Sequence, residues 1–316
     1  MEYTNLGRTG LKVSRLCLGC MTFGREIDEE ASLPIIRCAL EQGVNFFDTA
    51  NVYGNGASEE IVGRALKGVR HSIVLASKVF GQMGAGVNER GLSRYHIMNA
   101  VEDSLRRLQT DHLDLYQVHR WDAETPVAET LRALDDLVAQ GKVRYLGCSN
   151  FAGWQLIKAL WTSDGNGYAR FESVQPPYSL IRREIEAELL PACQDQQVGV
   201  IPYSPLAGGF LSGKYQKGGE IPKGTRFDVA KFYQNVYMKD KSWRVVEALK
   251  EYAERRGTPK EQLAIAWVAS HPAVTAPIVG VRSIEQLEQG LASVALARQI
   301  SAEERAAISQ MVNGLE

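Results

Sequence analysis

Residues 72–119 contain the unit on which the expected fold rests: the apolar run SIVLASK (72–78), the segment SRYHIMNAVEDSLRRL (93–108) and a second apolar run, LDLYQVH (113–119). Both runs are short and rich in Val, Leu and Ile, which is typical of buried strands. In the segment between them, apolar residues recur every three or four positions after Ser93, which predicts a helix that begins at a capping serine. A strand, a helix and a second strand in succession predict a pair of parallel strands.

The same alternation continues on both sides of this unit. Six further strand-like runs are RLCLGCMTFG (15–24), VNFFD (44–48), VRYLGCSN (143–150), FESVQ (171–175), VGVIPYS (198–204) and APIVGVR (276–282). Eight apolar strands with helices between them predict an α/β fold, a (β/α)8 TIM barrel formed by one domain over residues 1–316. A doubly wound sheet is less favoured, because its G-x-G-x-x-G would follow the first strand, whereas GNGASE (54–59) follows the second and ends in Glu59.

Two segments lie outside this alternation. The first, MEYTNLGRTGLKV (1–13), is predicted to form a β-hairpin at the N-terminal end of the barrel. The second, from about 205 to 240, is rich in Gly and Lys and has little periodicity. It predicts a long loop at the C-terminal face, where long loops are often functional.

Composition and charge exclude several classes of function. The 36 basic and 37 acidic residues give a net charge of −1 without any basic block, which argues against nucleic-acid binding. No stretch approaches the roughly 20 apolar residues of a membrane span, and the N-terminus lacks the apolar core of a signal peptide. We therefore expect a cytoplasmic protein that binds no membrane, and both a monomer and a homo-oligomer are compatible with the sequence.

The cysteines are few and odd in number, which is typical of reduced thiols. Among the five, Cys17 and Cys20 form a C-x-x-C, but no second pair or nearby histidine completes a zinc set. Two core cysteines are thus favoured over a redox or metal-binding pair, and we expect no metal.

Polar side chains end the predicted strands, at the face where TIM barrels carry their active sites. Asp48, Lys78 and His119 end three successive strands, and Tyr53 follows Asp48 in a loop. A carboxylate at the edge of a core needs a partner, and adjacent parallel strands bring their ends within side-chain reach, so we expect Lys78 to pair with Asp48. An ammonium group beside Tyr53 is expected to lower the pKa of its phenol, with His119 as a further donor. The four side chains predict general acid catalysis at a carbonyl oxygen as a hydride reaches the carbon.

Each of these residues also has an ordinary structural interpretation. An Asp–Lys pair is more often a structural salt bridge, and a histidine at a strand end is more often a core residue. A tyrosine in a loop rich in Asn and Gly usually packs against its neighbours. What favours a catalytic site is that all four occur at successive strand ends.

The sequence around these residues resembles that of the aldo-keto reductases, and the resemblance extends over nearly the whole chain. GVNFFDTANVYGNGASEEIVG (43–63) is similar to the family signature around the catalytic aspartate and tyrosine. ASK (76–78) resembles the segment that contains the lysine, and LDLYQVHR (113–120) the segment that contains the histidine. The resemblance implies a (β/α)8 barrel that binds NADP(H) without a Rossmann domain and reduces small aldehydes or ketones.

The same resemblance implies a role for each residue of the site. Tyr53 would be the proton donor, Lys78 would lower its pKa, Asp48 would hold Lys78, and His119 would orient the carbonyl group. The family branch resembled here contains bacterial reductases and potassium-channel β subunits. It therefore leaves open a second function, in which the protein holds NADP(H) as a redox-sensing or regulatory protein with little turnover.

The resemblance also implies a set of cofactor-binding residues. GCSN (147–150) and FESVQ match the residues that hold the nicotinamide carboxamide, and YSPLAGGFLSGKY (203–215) resembles the pyrophosphate loop. IVGVRSIEQLEQG (278–290) resembles the segment that binds the adenosine phosphate. The implied residues are Ser149, Asn150, Gln175, Tyr203 (which would stack on the nicotinamide ring), Ser204, Leu206, Gly208, Lys214, Gly280, Arg282 and Gln286.

Arg282 is the physical reason to favour NADPH, because a guanidinium group can bind a 2′-phosphate with two hydrogen bonds. Many family members end this segment with Glu-Asn, whereas this chain has Gln289 and Gly290, so NADH is also possible. The substrate pocket is expected to be lined by the loop after Tyr215 and by four aromatic residues, Phe23, Phe80, Trp121 and Tyr178.

The sequence disfavours two further alternatives, a phosphate-binding P-loop and an inactive barrel. GGFLSGK (208–214) fits G-x-x-x-x-G-K, but Tyr215 stands where a P-loop has Ser or Thr, and the next residues cannot begin a helix. Its glycine amides could still bind a pyrophosphate. An inactive barrel is disfavoured because all four candidate catalytic residues are present.

Overall fold

The structure, a computed structural model, describes residues 1–313. Its main sheet contains eight parallel strands, preceded in the chain by two short antiparallel strands. The strands are β1 Tyr3–Asn5, β2 Lys12–Ser14, β3 Cys17–Gly19, β4 Phe46–Asp48, β5 Val74–Val79, β6 Leu113–Val118, β7 Val143–Ser149, β8 Phe171–Gln175, β9 Gly199–Val200 and β10 Ile278–Gly280.

The eight parallel strands form a (β/α)8 barrel, as the sequence predicts. Their order is β10-β3-β4-β5-β6-β7-β8-β9. Parallel bridges join Val200 to Val274 and Tyr203 to Ile278, so the segment that contains β9 also pairs with the segment that leads into β10. This pairing closes the ring, and the doubly wound alternative is therefore wrong.

The strand predicted over 198–204 is much shorter than expected. Only Gly199–Val200 forms a regular ladder, and Tyr203 makes a single further bridge. The backbone N–H groups of Ile201 and Tyr203 still donate to Val174 and Pro176, but Pro176 has no N–H with which to donate back. Pro202 has none either, although its carbonyl accepts a hydrogen bond from the backbone N–H of Ile278.

The predicted N-terminal hairpin forms from β1 and β2, and it lies at the N-terminal end of the barrel. Leu6 and Val13 are fully buried in one apolar cluster with Phe46 and Ile201. Gly7 has a φ of +55°, and a Cβ there would lie 2.6 Å from the carbonyl oxygen of Glu172, near the start of β8. The close approach of the hairpin thus requires glycine.

Helices follow most of the barrel strands and form the outer layer. Their bounds are α1 Glu29–Glu41, α2 Ala57–Ala65, α3 Arg94–Leu108, α4 Val127–Ala139, α5 Gly153–Asn166, α6 Leu189–Gln196, α7 Arg226–Val229, α8 Phe232–Tyr237, α9 Asp240–Arg256, α10 Lys260–Ala269, α11 Ile284–Ala297 and α12 Ala302–Val312. Ser93 caps α3, because its hydroxyl accepts a hydrogen bond from the N–H of His96. Two short helices, α7 and α8, lie within the segment that was predicted to be a loop.

Cys17 and Cys20 are both fully buried free thiols. Burial raises the pKa of each, so both remain protonated. Among the described helices, none is long and apolar enough to cross a membrane.

Candidate active site

The barrel brings the side chains of Asp48 and Lys78 together at its C-terminal face. The strands that carry them, β4 and β5, are neighbours in register, with Asp48 beside Ala76. Nζ of Lys78 lies 2.5 Å from Oδ1 of Asp48 and 2.8 Å from the carbonyl oxygen of Thr49. Both charged side chains are almost completely buried, so the pair is shielded from water.

Tyr53 reaches this pair from the turn that follows β4. Its hydroxyl oxygen lies 3.2 Å from Nζ of Lys78. The turn continues as a 3₁₀ helix, Tyr53–Gly56, in which Gly54 and Asn55 have positive φ. The ammonium group of Lys78 therefore contacts both the carboxylate of Asp48 and the phenol.

A buried ion pair anchors the helix after this turn. Glu59, on α2, accepts hydrogen bonds from the hydroxyl of Ser77 at 2.5 Å and from Nε of Arg107 at 2.7 Å. A Cβ at Gly56 would lie 2.8 Å from Cδ of Arg107, so the chain passes close to this arginine. The contacts connect the Tyr53 turn to β5, since Ser77 is the residue before Lys78.

The structure alters one expectation about the electrostatics. Burial raises the pKa of Tyr53 more than the ammonium group of Lys78 lowers it, so the pKa lies above its ordinary value. Burial by itself lowers the pKa of Lys78, but Asp48 and Tyr53 outweigh it and raise the pKa. The ammonium group of Lys78 lowers the phenol pKa, as expected, but burial has the larger effect, so the site holds an ammonium group beside a neutral phenol.

His119 lies against Tyr53, with the ring centroids 5.8 Å apart and the rings nearly perpendicular. Burial and the charges of Lys78 and Arg120 lower the pKa of His119 to about 3. The imidazole is therefore neutral at physiological pH. It can donate or accept a hydrogen bond at the site without adding another positive charge.

The sequence analysis did not identify Gln117. Its Nε2 donates to Oδ2 of Asp48 at 2.9 Å, and Nε2 of Gln175 donates to the same oxygen at 2.9 Å. Nε2 of Gln175 also donates to Oε1 of Gln117 at 3.1 Å. One available signal was the polar residue in the apolar run LDLYQVH, two positions before His119.

The four residues assigned to the nicotinamide form a hydrogen-bonded chain next to the candidate catalytic residues, in which Nδ2 of Asn150 donates to the hydroxyl oxygen of Ser149 at 3.0 Å. Ser149 donates through its hydroxyl to the backbone oxygen of Gln175 at 2.8 Å. Asn150 donates through Nδ2 to the backbone oxygen of His119 at 2.9 Å, and its Oδ1 accepts from the hydroxyl of Tyr203 at 2.8 Å. The residues assigned to the carboxamide and the candidate catalytic residues thus lie together at the ends of neighbouring strands.

The glycine-rich segment 203–215 forms a tight loop. Gly208 and Gly209 have φ values of +69° and +91°, and a Cβ at Gly209 would lie 2.7 Å from Nζ of Lys214. A 3₁₀ helix spans Ala207–Ser212, and the next α-helix begins only at Arg226. No helix follows the lysine as in a P-loop, so that alternative is wrong.

Positive charges converge beside this loop. Partial burial and the charges of Arg282 and Arg226 lower the pKa of Lys214. Arg226, which the sequence analysis missed, forms an ion pair with Glu26 at 3.2 Å. Three neighbouring cations beside backbone amides form a set of donors that fits the phosphates of a dinucleotide.

The segment around β10 supplies the remaining assigned residues. Nη1 of Arg282 donates to the carbonyl oxygen of Gly224 at 2.7 Å. The backbone N–H of Arg282 donates to Oε1 of Gln286 at 2.9 Å. Gly280 is exposed at the end of β10, and Leu206 is partly exposed beside the glycine loop. Ser204 has a φ of +56° at the start of that loop.

Where many family members have Glu-Asn, this chain has Gln289 and Gly290, and the structure gives a reason for the glycine. A Cβ at Gly290 would lie 3.2 Å from Val279 and 3.3 Å from Leu16, so the glycine packs α11 closely against the barrel. Gln289 is exposed.

The four aromatic residues assigned to the substrate pocket separate into two groups. Phe23 and Tyr178 have no accessible surface, and Tyr178 packs against Trp267 with its hydroxyl bonded to Glu186. Both lie in the core and line no open pocket, which corrects that prediction. Phe80 and Trp121 are partly exposed, but Trp121 packs on Phe151 and Trp154.

Two cavities, of 510 and 740 Å³, lie away from the catalytic cluster. Asp48, Tyr53, Lys78 and His119 line neither of them. Over residues 1–313, no cluster of three or more His, Cys, Asp or Glu side chains could hold a metal ion.

Comparison with known proteins assigns the chain to a family. The family model described as "Aldo/keto reductase family" matches residues 15–313. The chain belongs to the aldo/keto reductase family. This membership, together with relatives named as oxidoreductases, indicates an oxidoreductase that acts on carbonyl groups, in a family that generally uses nicotinamide cofactors.

Among curated proteins, this aldo/keto reductase is 44% identical to "Uncharacterized oxidoreductase YrpG" of Bacillus subtilis, over 93% of this chain and 91% of the relative. It is 39% identical to "Probable voltage-gated potassium channel subunit beta" of Arabidopsis thaliana, over 93% and 91%. It is 37% identical to "Versiconal hemiacetal acetate reductase" of Aspergillus parasiticus, over 93% and 92%.

Proposed function

We propose that the protein is an NADPH-dependent reductase of aldehydes or ketones in which Tyr53 is the general acid. The observation that carries the proposal is the position of Nζ of Lys78, 2.5 Å from Asp48 and 3.2 Å from the hydroxyl of Tyr53. A buried ammonium group so close to a phenol stabilises the phenolate that forms when the proton leaves. A cytoplasmic location and a small-molecule carbonyl substrate belong to the same proposal.

A nicotinamide cofactor, when bound, would supply the hydride to the carbonyl carbon. Tyr53 keeps its proton through neutral pH, because its pKa lies above the ordinary value, and transfers it from its hydroxyl to the carbonyl oxygen. Lys78 then balances the negative charge on the phenolate oxygen, while Asp48 keeps Lys78 charged. Neutral His119, at the edge of the Tyr53 ring, donates a hydrogen bond that orients the carbonyl group.

The preference for NADPH rests on the positive charges beside the glycine loop. Partial burial and, after it, the positive charges of Arg282 and Arg226 lower the pKa of Lys214, so a phosphate group between these three cations would relieve their repulsion. NADPH carries one phosphate more than NADH. The two cofactors should therefore differ in affinity, and the difference should depend on Arg282.

A second candidate function is a redox-sensing or regulatory protein that binds NADP(H) and turns over slowly. The relative named as a potassium-channel β subunit, at 39% identity over 93% of this chain, is the observation that favours it. The two functions differ in the rate of chemistry and not in cofactor binding.

The experiment that separates them measures NADPH consumption with a reactive aromatic aldehyde, for the wild type and for Tyr53→Phe. We expect the variant to bind NADPH normally and to lose a factor of roughly 100 to 10,000 in kcat, the usual contribution of a general acid. Tyr95→Phe, on the exposed face of α3, is the matched control and should keep the wild-type rate.

Two further measurements complete the design. With Arg282→Ala, the dissociation constant of NADPH should rise while that of NADH changes little. If the wild type binds NADPH but reduces no aldehyde or ketone, the regulatory function replaces the enzymatic one.

A further inference from the structure

The side chain of Gln117 occupies a position between the cofactor-binding and proton-donating parts of the site. It is completely buried on β6, next to Lys78 in register on one side and Gly147 on the other. A Cβ at Gly147 would lie 3.1 Å from Cγ of Gln117, so the glycine leaves the space that this side chain fills. Water does not reach the amide, and its hydrogen bonds are therefore to protein groups.

We propose that Gln117 is a positioning residue that couples Gln175, the residue assigned to the nicotinamide carboxamide, to the Asp48–Lys78 pair. This inference rests on the proposed function. Gln117 holds Asp48 by donating to Oδ2, and it holds Gln175 by accepting from Nε2. The same amide group thus contacts both parts of the site.

The geometry has a consequence for Gln175. An amide nitrogen carries two hydrogens, and those of Gln175 are taken up by Oδ2 of Asp48 and Oε1 of Gln117. Its own Oε1 accepts no hydrogen bond from residues 1–313, which leaves this atom to accept one from the carboxamide N–H of the cofactor. Gln117 therefore determines which end of the Gln175 amide meets the cofactor.

There is also a consequence for Asp48. Oδ1 interacts with Lys78 and Oδ2 with the two glutamines, so the carboxylate is stabilised on both sides. The other titratable groups near it are Tyr53 and the buried thiols of Cys17 and Cys20, which stay protonated. Loss of the Gln117 donor would make the ionised carboxylate less stable.

The test compares three variants of the full chain. Gln117→Met keeps the length and approximate volume of the side chain but removes both hydrogen bonds. Gln117→Glu places a second carboxyl group beside Asp48, and two carboxyl groups at one site share a proton over a range of pH. The matched control is Ser173→Ala, because Ser173 is fully buried beside Gly147 and its hydroxyl has no partner within residues 1–313.

For Gln117→Met we expect two effects that Ser173→Ala does not show. The dissociation constant of NADPH, measured by fluorescence, should rise severalfold, because the Gln175 amide is no longer held. The kcat should fall by roughly 10-fold to 100-fold, the effect of losing a buried hydrogen bond to a charged group.

Gln117→Glu should restore part of the rate at low pH. There the shared proton lets the introduced carboxyl group donate to Asp48 as the amide does, and the rate should fall again as the pH rises and both groups ionise. A purely structural role would lower the melting temperature of the Gln117 variants without moving the pH profile.

The failure of this inference is distinct from the failure of the proposed function. If the wild type reduces aldehydes and Gln117→Met has the NADPH affinity and the kcat of Ser173→Ala, the inference is wrong and the proposed function stands. If the wild type binds NADPH without turnover, the proposed function fails, and an unchanged NADPH affinity of Gln117→Met overturns the inference as well. If the wild type binds no NADPH, both are wrong.

Discussion

The ammonium group of Lys78 lies 2.5 Å from Oδ1 of Asp48, with side-chain exposures of only 0% and 3%. The same ammonium group is 3.2 Å from the hydroxyl of Tyr53. The contact with the proposed proton donor thus depends on a buried ion pair, and substitutions in that pair should affect folding stability as well as the proposed catalysis.

We expect Lys78→Met to lower the free energy of unfolding by about 3–5 kcal/mol, because it leaves the Asp48 carboxylate buried without its cation. The double variant Asp48→Asn with Lys78→Met should lose much less than the sum of the two single variants, since no uncompensated charge remains. Urea unfolding of the four proteins measures this coupling. Activity should be lost in every variant.

The surface pair of Arg64 and Glu29 is the control for that measurement. Its atoms are 2.7 Å apart, but both side chains are about 40% exposed, so its coupling should be no more than about 1 kcal/mol. If the losses of unfolding free energy in Lys78→Met and Asp48→Asn simply add in the double variant, the buried pair is no stronger than this surface pair.

A second prediction concerns stability in acid. The pKa of His119 is lowered to about 3, and burial with the charge of Arg305 lowers that of His271 to about 4, from a usual value of 6.5. Between pH 6.5 and the lowered pKa of each histidine, that histidine binds a proton in the unfolded chain but not in the folded protein. The free energy of unfolding should therefore fall as the pH drops below 6.5, by up to about 1.4 kcal/mol per pH unit for each residue.

Urea unfolding at a series of pH values tests this dependence. His119→Gln and His271→Gln should each reduce the slope below pH 6.5, because the titrating group is gone. Gln140→Asn, at an exposed position with no titratable group, should leave the slope unchanged. The same slope in all four proteins would contradict the lowered pKa values of His119 and His271.

A third prediction concerns the glycine loop. Gly209→Ala should weaken NADPH binding by roughly tenfold or more, because a methyl group at φ +91° would lie 2.7 Å from Nζ of Lys214 and displace it. Gly218→Ala is the matched control, since Gly218 has a φ of +76° but no atom within 4 Å of the added Cβ. Both variants should lose stability, and only the first should lose affinity for NADPH. Equal affinities would show that Lys214 does not contact the phosphates.

Much of the fold could be predicted because its signals are local. The run LDLYQVH and the helix that begins after Ser93 both formed, with β6 at Leu113–Val118 and α3 at Arg94–Leu108. The strand at 198–204 was predicted too long because Pro176 and Pro202 have no N–H with which to complete its hydrogen bonds to the neighbouring strands. Phe23 and Tyr178 were wrongly predicted to line the substrate pocket. An aromatic residue indicates an apolar contact, but its type does not show whether that contact lies in the core or in a pocket.

The sequence by itself determined that the chain forms a barrel and that Asp48, Lys78 and His119 end successive strands. Apolar periodicity and strand order are sufficient for both, since parallel strands end at one face. Only the tertiary structure decided that Gln117 contacts Asp48, that Arg226 approaches Lys214, and that His119 is neutral. These properties depend on distances across the barrel and on burial, which arise from residues far apart in the chain.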